Sequence, residues 1–274
     1  RQAIYGFRGA DSNSLARLKA ELGAPELGLK TTYRCGRAIV AEAQKLVPDF
    51  VAGPDNAEGE VLRRSLDVLF TDVAPGDFIL SRVNAPLVSI AMKLLRSGKR
   101  TRIAGRDIGA GLVLLIQKFR ATSVPNLLSK ITAWENRELA RLREQLAGAA
   151  VGRVLALEDK MEAVRDQATM LSSITDGAKN VNEVTTRIEV LFTDDGLGDA
   201  GVITCSSVHK SKGLEANRVF VLADTLRDTT QEERNIAYVA ITRAKSTLVY
   251  VSSRPRSREC GYDEDDEGGT RGDA

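Results

Sequence analysis

Residues 78–104 read Phe-Ile-Leu-Ser-Arg-Val-Asn-Ala-Pro-Leu-Val-Ser-Ile-Ala-Met-Lys-Leu-Leu-Arg-Ser-Gly-Lys-Arg-Thr-Arg-Ile-Ala, and they decide the fold class. Phe78 to Arg82 is a compact apolar run of strand length. Ala85 to Arg96 carries apolar residues at helical spacing and stops at Gly98, and Thr101 to Ala104 is a second short strand. Strand, helix, strand in so little chain is the pattern of a parallel α/β unit. The same signature returns later. Val202 to Cys205, Val219 to Ala223 and Thr247 to Ser252 are near-continuous apolar or β-branched runs, as strands buried on both faces of a parallel sheet require. Glu232 to Arg243 reads as a helix between the last two.

Between these α/β stretches the pattern changes. From about Leu112 to Leu191 proline occurs only at Pro125 and charges recur at helical spacing. Leu139, Leu142 and Leu146 mark one helix, and Leu157, Met161, Val164, Ala168 and Leu171 step by four and three along the next. The expected architecture is a parallel sheet flanked by helices and interrupted by an all-helical insert that packs back on its own domain. Two heptads are too few for a long coiled coil. Upstream, Ala10 to Ser14 offers capping side chains ahead of Leu15, Leu18 and Leu22, and Arg37 to Val47 reads as a helix stopped by Pro48. Val51 to Ala74 supports only weak strands. Beyond Arg254 the tail, acidic from Asp263 to Glu267, is expected to be disordered.

With 43% hydrophobic and 28% charged residues among 274, the chain has the balance of a globular protein, which excludes collagen and disulfide-scaffold classes. Its 39 Lys and Arg against 37 Asp and Glu leave a net charge of +2, so attraction to a polyanion must come from local patches. Cys35, Cys205 and Cys260 are too scattered for a disulfide framework, and a single histidine, His209, excludes multi-histidine metal sites. No apolar run reaches membrane-spanning length. The chain opens on Arg1 with no apolar leader and is expected to be the later part of something longer.

A phosphate loop of the form G-x-x-x-x-G-K-[ST] does not occur. Gly98-Lys99 is followed by Arg100, and Gly105, Gly109 and Gly111 do not make G-x-G-x-x-G. Chemistry concentrates instead in four strings. From Gln2 to Asp11, Tyr5, Phe7 and Arg8 beside glycines suit stacking on a base with a phosphate contact, or a strand end packing its aromatics into the core. Thr32-Tyr33-Arg34-Cys35 offers a ring to stack on adenine and a guanidinium to grip a terminal phosphate, or simply a surface arginine. Ser207 to Glu215, Ser-Val-His-Lys-Ser-Lys-Gly-Leu-Glu, directly follows a buried strand, where open α/β sheets bind ligands; it also reads as a solvated basic turn. Glu232 to Lys245 ends a helix with Arg243, suited to an arginine finger or to an ordinary C-terminal cation. On that helix Ile236, Val239 and Ala240 would face the sheet, and Tyr238, Thr242 and Arg243 cannot all join them.

Together the strings resemble, in family order, the later motifs of superfamily 1 DNA helicases of the UvrD/Rep/PcrA type, over Arg1 to about Arg102 and Val202 to Ser252. The resemblance implies a RecA-like motor domain that binds ATP with Mg²⁺ and moves 3′ to 5′ on single-stranded DNA or from a 3′ tail on duplex. Gln2 would sense the γ-phosphate; Tyr33 would stack on adenine; Arg34 and Arg243 would reach the γ-phosphate; Glu215 would bind the ribose and Gly213 would permit the turn before it. Tyr5, Phe7, Arg8, Ser207 and His209 would contact DNA, and Lys212 either DNA or the nucleotide pocket. Phe7 stands where the family commonly has tryptophan, and Ser207 where it often has threonine. The implied division is 1–24 as the end of a first motor lobe, 25–105 and 200–254 as the second RecA-like domain, 106–199 as the accessory insert and 255–274 as the tail. The family's phosphate loop and Mg²⁺ ligands precede its glutamine motif, so a first lobe in the same or a companion chain would supply them, and the segment alone would not hydrolyse ATP. A cytoplasmic setting, at the nucleoid of a bacterial or phage-infected cell, goes with that reading, and no membrane partner does. A non-catalytic DNA-binding or regulatory module from a split gene is the competing class. A helicase-nuclease fusion lacks the lysine-bearing strand it would need.

Overall fold

The structure is a computed structural model that describes Ile4 and residues 14–23, 30–193 and 201–253. In chain order the elements are α1 (Ser14–Leu22), β1 (Thr31–Thr32), α2 (Arg37–Gln44), β2 (Val51–Ala52), β3 (Glu60–Ser65), α3 (Leu66–Asp72), β4 (Phe78–Ser81), α4 (Ala85–Arg96) and β5 (Thr101–Ile103). Then follow the helices α5 (Arg106–Phe119), α6 (Val124–Ala147), α7 (Val151–Thr175) and α8 (Val181–Leu191). The chain closes with β6 (Ile203–Ser207), β7 (Ala216–Leu222), α9 (Gln231–Ile241) and β8 (Ala244–Ser252). Strands β1 and β2 form a small parallel ribbon, and the other six form one parallel sheet in the order β3-β8-β7-β4-β6-β5. This is the α/β class expected, and it is consistent with a RecA-like fold.

The apolar runs are continuous because both faces of the sheet are covered. On β4, Phe78 and Leu80 enter one core while Ile79 enters the other; on β7, Val219 and Val221 alternate with Phe220 and Leu222 in the same way. The first core is completed by α3, α4 and the helices of the insert. The second is completed by α2 and α9, and by Ile4, which is fully buried with Ile39, Val208 and Ile236. Burying each such side chain contributes about 1.5–3 kcal/mol before chain entropy is counted.

The stretch from Arg106 to Leu191 is four helices joined by short turns, and its heptad-like seam serves two cores. Leu157 and Met161 of α7 pack with Leu139 and Leu142 of α6 in a small outer cluster, whereas Ala168 and Leu171 lie in the main core against the sheet layer. Three helix C-termini are closed by cations reaching back to free carbonyls. Lys99 Nζ donates to the carbonyls of Phe70 and Val73 at 2.8 Å each, Lys130 Nζ to that of Phe119 at 2.7 Å, and Arg187 to those of Ile174 and Asp176.

Helix α7 is pinned to the sheet layer at two points. Asp166 accepts from the backbone N–H of Asn84 at 3.0 Å and of Ala85 at 2.7 Å, and so caps α4 from another helix. Near it, Arg82 at the end of β4 forks onto buried Glu233 of α9 (3.0–3.2 Å) and lies 3.9 Å from Glu162 of α7, which also pairs with Arg227. An Asp166→Ala variant should lose about 1–2 kcal/mol of stability in urea titration, with Asp166→Asn retaining most of it as an acceptor. Equal melting of both variants and parent would mean the cap contributes nothing.

One expectation differs from the structure. Val51 to Ala74 holds the six-residue edge strand β3 and the helix α3 besides the short β2. All of Tyr238, Thr242 and Arg243 are buried along with Ile236, Val239 and Ala240, because α9 is covered on its outer side too: Phe50 meets Tyr238 edge-on at 5.4 Å. Residues 254–274, and with them the expected tail, lie outside the described residues. Among the described residues no helix is long and apolar enough to cross a membrane.

Candidate functional site

The junction of α9 and β8 is the centre of a charged cluster. Thr242 ends α9 by turning its hydroxyl back onto the Tyr238 carbonyl at 2.9 Å, which leaves Arg243 in the gap before β8. Arg243 is 3% exposed: its Nε donates to the Val239 carbonyl at 3.0 Å, Nη1 to the Leu214 carbonyl at 3.0 Å and Nη2 to Thr242 Oγ1 at 3.3 Å. Three of its five donors thus hold the guanidinium in place. The bond to Leu214 also ties it to the residue before Glu215.

Glu215 stands just before β7 and pairs with Arg34 and, at 2.6 Å, with Lys245. The Arg34 turn is fixed from several sides. Gly36 N–H donates to the Lys245 carbonyl at 2.7 Å, Cys35 Sγ to the Thr242 carbonyl at 3.8 Å, and Asn56 Nδ2 to the carbonyls of Thr32 and Cys35 at 2.9 and 2.7 Å. Tyr33, next to Arg34, is 77% exposed, so its ring is open to a stacking partner.

The electrostatics favour an anion. Three cations, Arg34, Arg243 and Lys245, surround one carboxylate. The hydrogen bond from Lys245, ahead of the charges of Arg34 and Arg243, holds the Glu215 carboxyl below its usual range. Burial and then the like charge of Arg34 push the Arg243 guanidinium down, so the two arginines are close enough to repel each other. Burial raises the Cys35 thiol despite both arginines. A polyanionic ligand would relieve that repulsion.

The sequence from β6 to β8 has known counterparts. Residues 202–251 match the UvrD-like helicase C-terminal domain. The chain is also 28% identical over 148 residues to DNA helicase II of Rickettsia typhi, an alignment covering 49% of this chain and 21% of that protein. The chain thus spans about a fifth of the length of the curated relative it matches. Arg243, Glu215 and Lys245 all lie within the span matched by the helicase C-terminal domain; Tyr33 and Arg34 come from outside it.

The structure brings together Tyr33, Arg34, Glu215 and Arg243 from distant parts of the sequence. Ser207, His209 and Lys212 lie elsewhere. Ser207 is buried at the carboxyl end of β6, where its carbonyl accepts from Ser211 N–H at 3.0 Å; His209 is half-buried and Lys212 exposed. Gly213 has φ +95 with open space beside its Cα, so its backbone conformation and not crowding selects glycine there. The expectation that the whole 207–215 string sits beyond strand carboxyl ends is corrected: β6 and β7 flank β4 and run parallel, so residues 208–215 cross the sheet and deliver Glu215 to its amino end. Gln2, Tyr5, Phe7 and Arg8 lie outside the described residues. Lys245 was not singled out from sequence, although two cations two residues apart at the start of a strand share a side.

Proposed function

We propose that this chain is the ATP-gripping and DNA-gripping second motor part of a 3′–5′ DNA helicase or translocase. The observation that carries the reading is the convergence of Arg34, Arg243, Lys245 and Glu215 on one anion-favouring cluster with the open Tyr33 ring beside it. In this reading residues 25–105 and 200–254 form the motor domain, 106–199 the accessory insert, and 1–24 the end of a first lobe, in the same or a companion chain, that supplies the phosphate loop and the Mg²⁺ ligands.

Tyr33 stacks on adenine and Glu215 accepts from the ribose. Arg34 and Arg243 neutralise negative charge growing on the transferring phosphoryl group, work that needs fixed donors and no reorganisation at the moment of reaction. Arg243 suits it because its Nε anchor to Val239 lets α9 set its position. His209 and Ser207, at the other end of the crossing segment, hold single-stranded DNA together with Lys212 and with Tyr5, Phe7 and Arg8 of the first string. Base stacking contributes about 1–3 kcal/mol per base. Gln2 relays the state of the γ-phosphate between the two.

The test is ATP hydrolysis by the full-length protein with and without a single-stranded oligonucleotide, followed by displacement of a duplex carrying either tail. Hydrolysis stimulated by the strand, and displacement only with a 3′ tail, is the expected result. A rate indifferent to DNA would remove the motor reading, and displacement requiring a 5′ tail would reverse its polarity.

A further inference from the structure

Tyr33 does not stand alone: its ring lies against Gly53 of the loop after β2. A Cβ built on Gly53 would stand 2.6 Å from Cδ1 and 2.7 Å from Cε1 of the Tyr33 ring, and 2.9 Å from Oδ1 of Asn56. Such separations are far inside van der Waals contact, so one neighbour must move. Asn56 is the wrong one to yield, since its amide holds the carbonyls of Thr32 and Cys35. The Gly53 backbone is fixed as well, its N–H donating to the Thr32 carbonyl at 2.8 Å, one residue before the tyrosine. Unlike Gly59, at φ +68, Gly53 is not in the left-handed region, so its backbone would accept alanine and only space forbids it. What gives way is the exposed ring.

We infer that Gly53 is a positioning residue for nucleotide binding: its missing side chain is the bed on which Tyr33 is laid, which sets the plane the base meets. The contact bars the ring from the side that Gly53 occupies before a ligand arrives, so less ordering is left for binding to supply. The inference rests on the reading of Tyr33 as the adenine-stacking residue.

The experiment compares ATP hydrolysis by the full-length parent, Gly53→Ala, Tyr33→Ala and the double variant, at saturating single-stranded DNA. Gly53→Ala should raise KM for ATP about tenfold, the size of one lost aromatic stack, with kcat unchanged. Tyr33→Ala should raise KM at least as much, and the double variant no further, because the glycine acts only through the ring. A parental KM in Gly53→Ala beside a raised one in Tyr33→Ala overturns the role of Gly53 and leaves the stacking assignment intact. A parental KM in Tyr33→Ala overturns both. An additive double variant, or a fall in kcat, would show that the methyl group disturbs the Thr32–Asn56 framework instead.

Discussion

Arg243→Ala in the full-length protein should cut DNA-stimulated ATP hydrolysis by roughly 10³-fold or more, the range over which a transition-state arginine acts, while single-strand affinity stays near the parental value. The side chain is also built into the fold: truncation takes the donor from the Leu214 carbonyl, at about 1–3 kcal/mol for a buried group, while the Val239 carbonyl keeps the Thr242 hydroxyl at 3.2 Å. Arg243→Lys separates the two effects. It keeps a cation in the buried site but cannot bond the carbonyls and face a phosphate in one plane, so its melting temperature should fall less than its rate. If Arg243→Lys hydrolyses ATP at the parental rate, the guanidinium is a structural clasp and its place at the phosphate is lost.

Arg82→Ala should be the most destabilising single change outside the apolar core. It strips a forked partner from Glu233, which is buried in the first turn of α9, and removes a contact to Glu162 on α7. Breaking a buried pair by deleting one partner costs about 3–5 kcal/mol, because a charge stays behind in a poor solvent for it. Replacing both partners, as Arg82→Met with Glu233→Met, should recover most of that loss in urea titration, since neither ion then needs solvation. A loss under about 1 kcal/mol for Arg82→Ala would mean that water reaches Glu233 once the arginine is gone.

Much of this architecture was legible because local and long-range signals agree. Helix α4 begins and ends at the residues its pattern marked, Ala85 and Arg96, where Pro86 suits a first turn and Gly98 supplies the positive φ after the last. Strand α/β rhythm was readable for the same reason: double burial leaves a run no room for polar residues. Helix α3 was not, since a seven-residue helix that buries only Leu69 completely leaves too short a period to separate from a strand. Edge strand β3 was weak because Arg63 and Arg64 face solvent.

In the site, the residues themselves stood out, but two facts lay beyond any linear reading. One is strand direction: nothing in residues 203–222 reveals that β6 and β7 run parallel on either side of β4, and the parallel run is what places Glu215 at the far end of the sheet. The other is what covers α9 from outside. Phe50 and Leu214 come from distant segments, and they leave α9 buried around most of its second half.

The segment joining β6 to β7 is wound rather than drawn out. Ser207 stands level with Ser81 and Val219 with Phe78, which puts Ser207 six residue steps above Ala216 along the sheet axis and two strands to the side. Of the nine steps of chain between them, seven are wound into two linked turns: Ser211 N–H donates to the Ser207 carbonyl at 3.0 Å, and Leu214 N–H to the Ser211 carbonyl at 2.9 Å. A displacement at His209 therefore passes through two hydrogen-bonded turns before it arrives at Glu215.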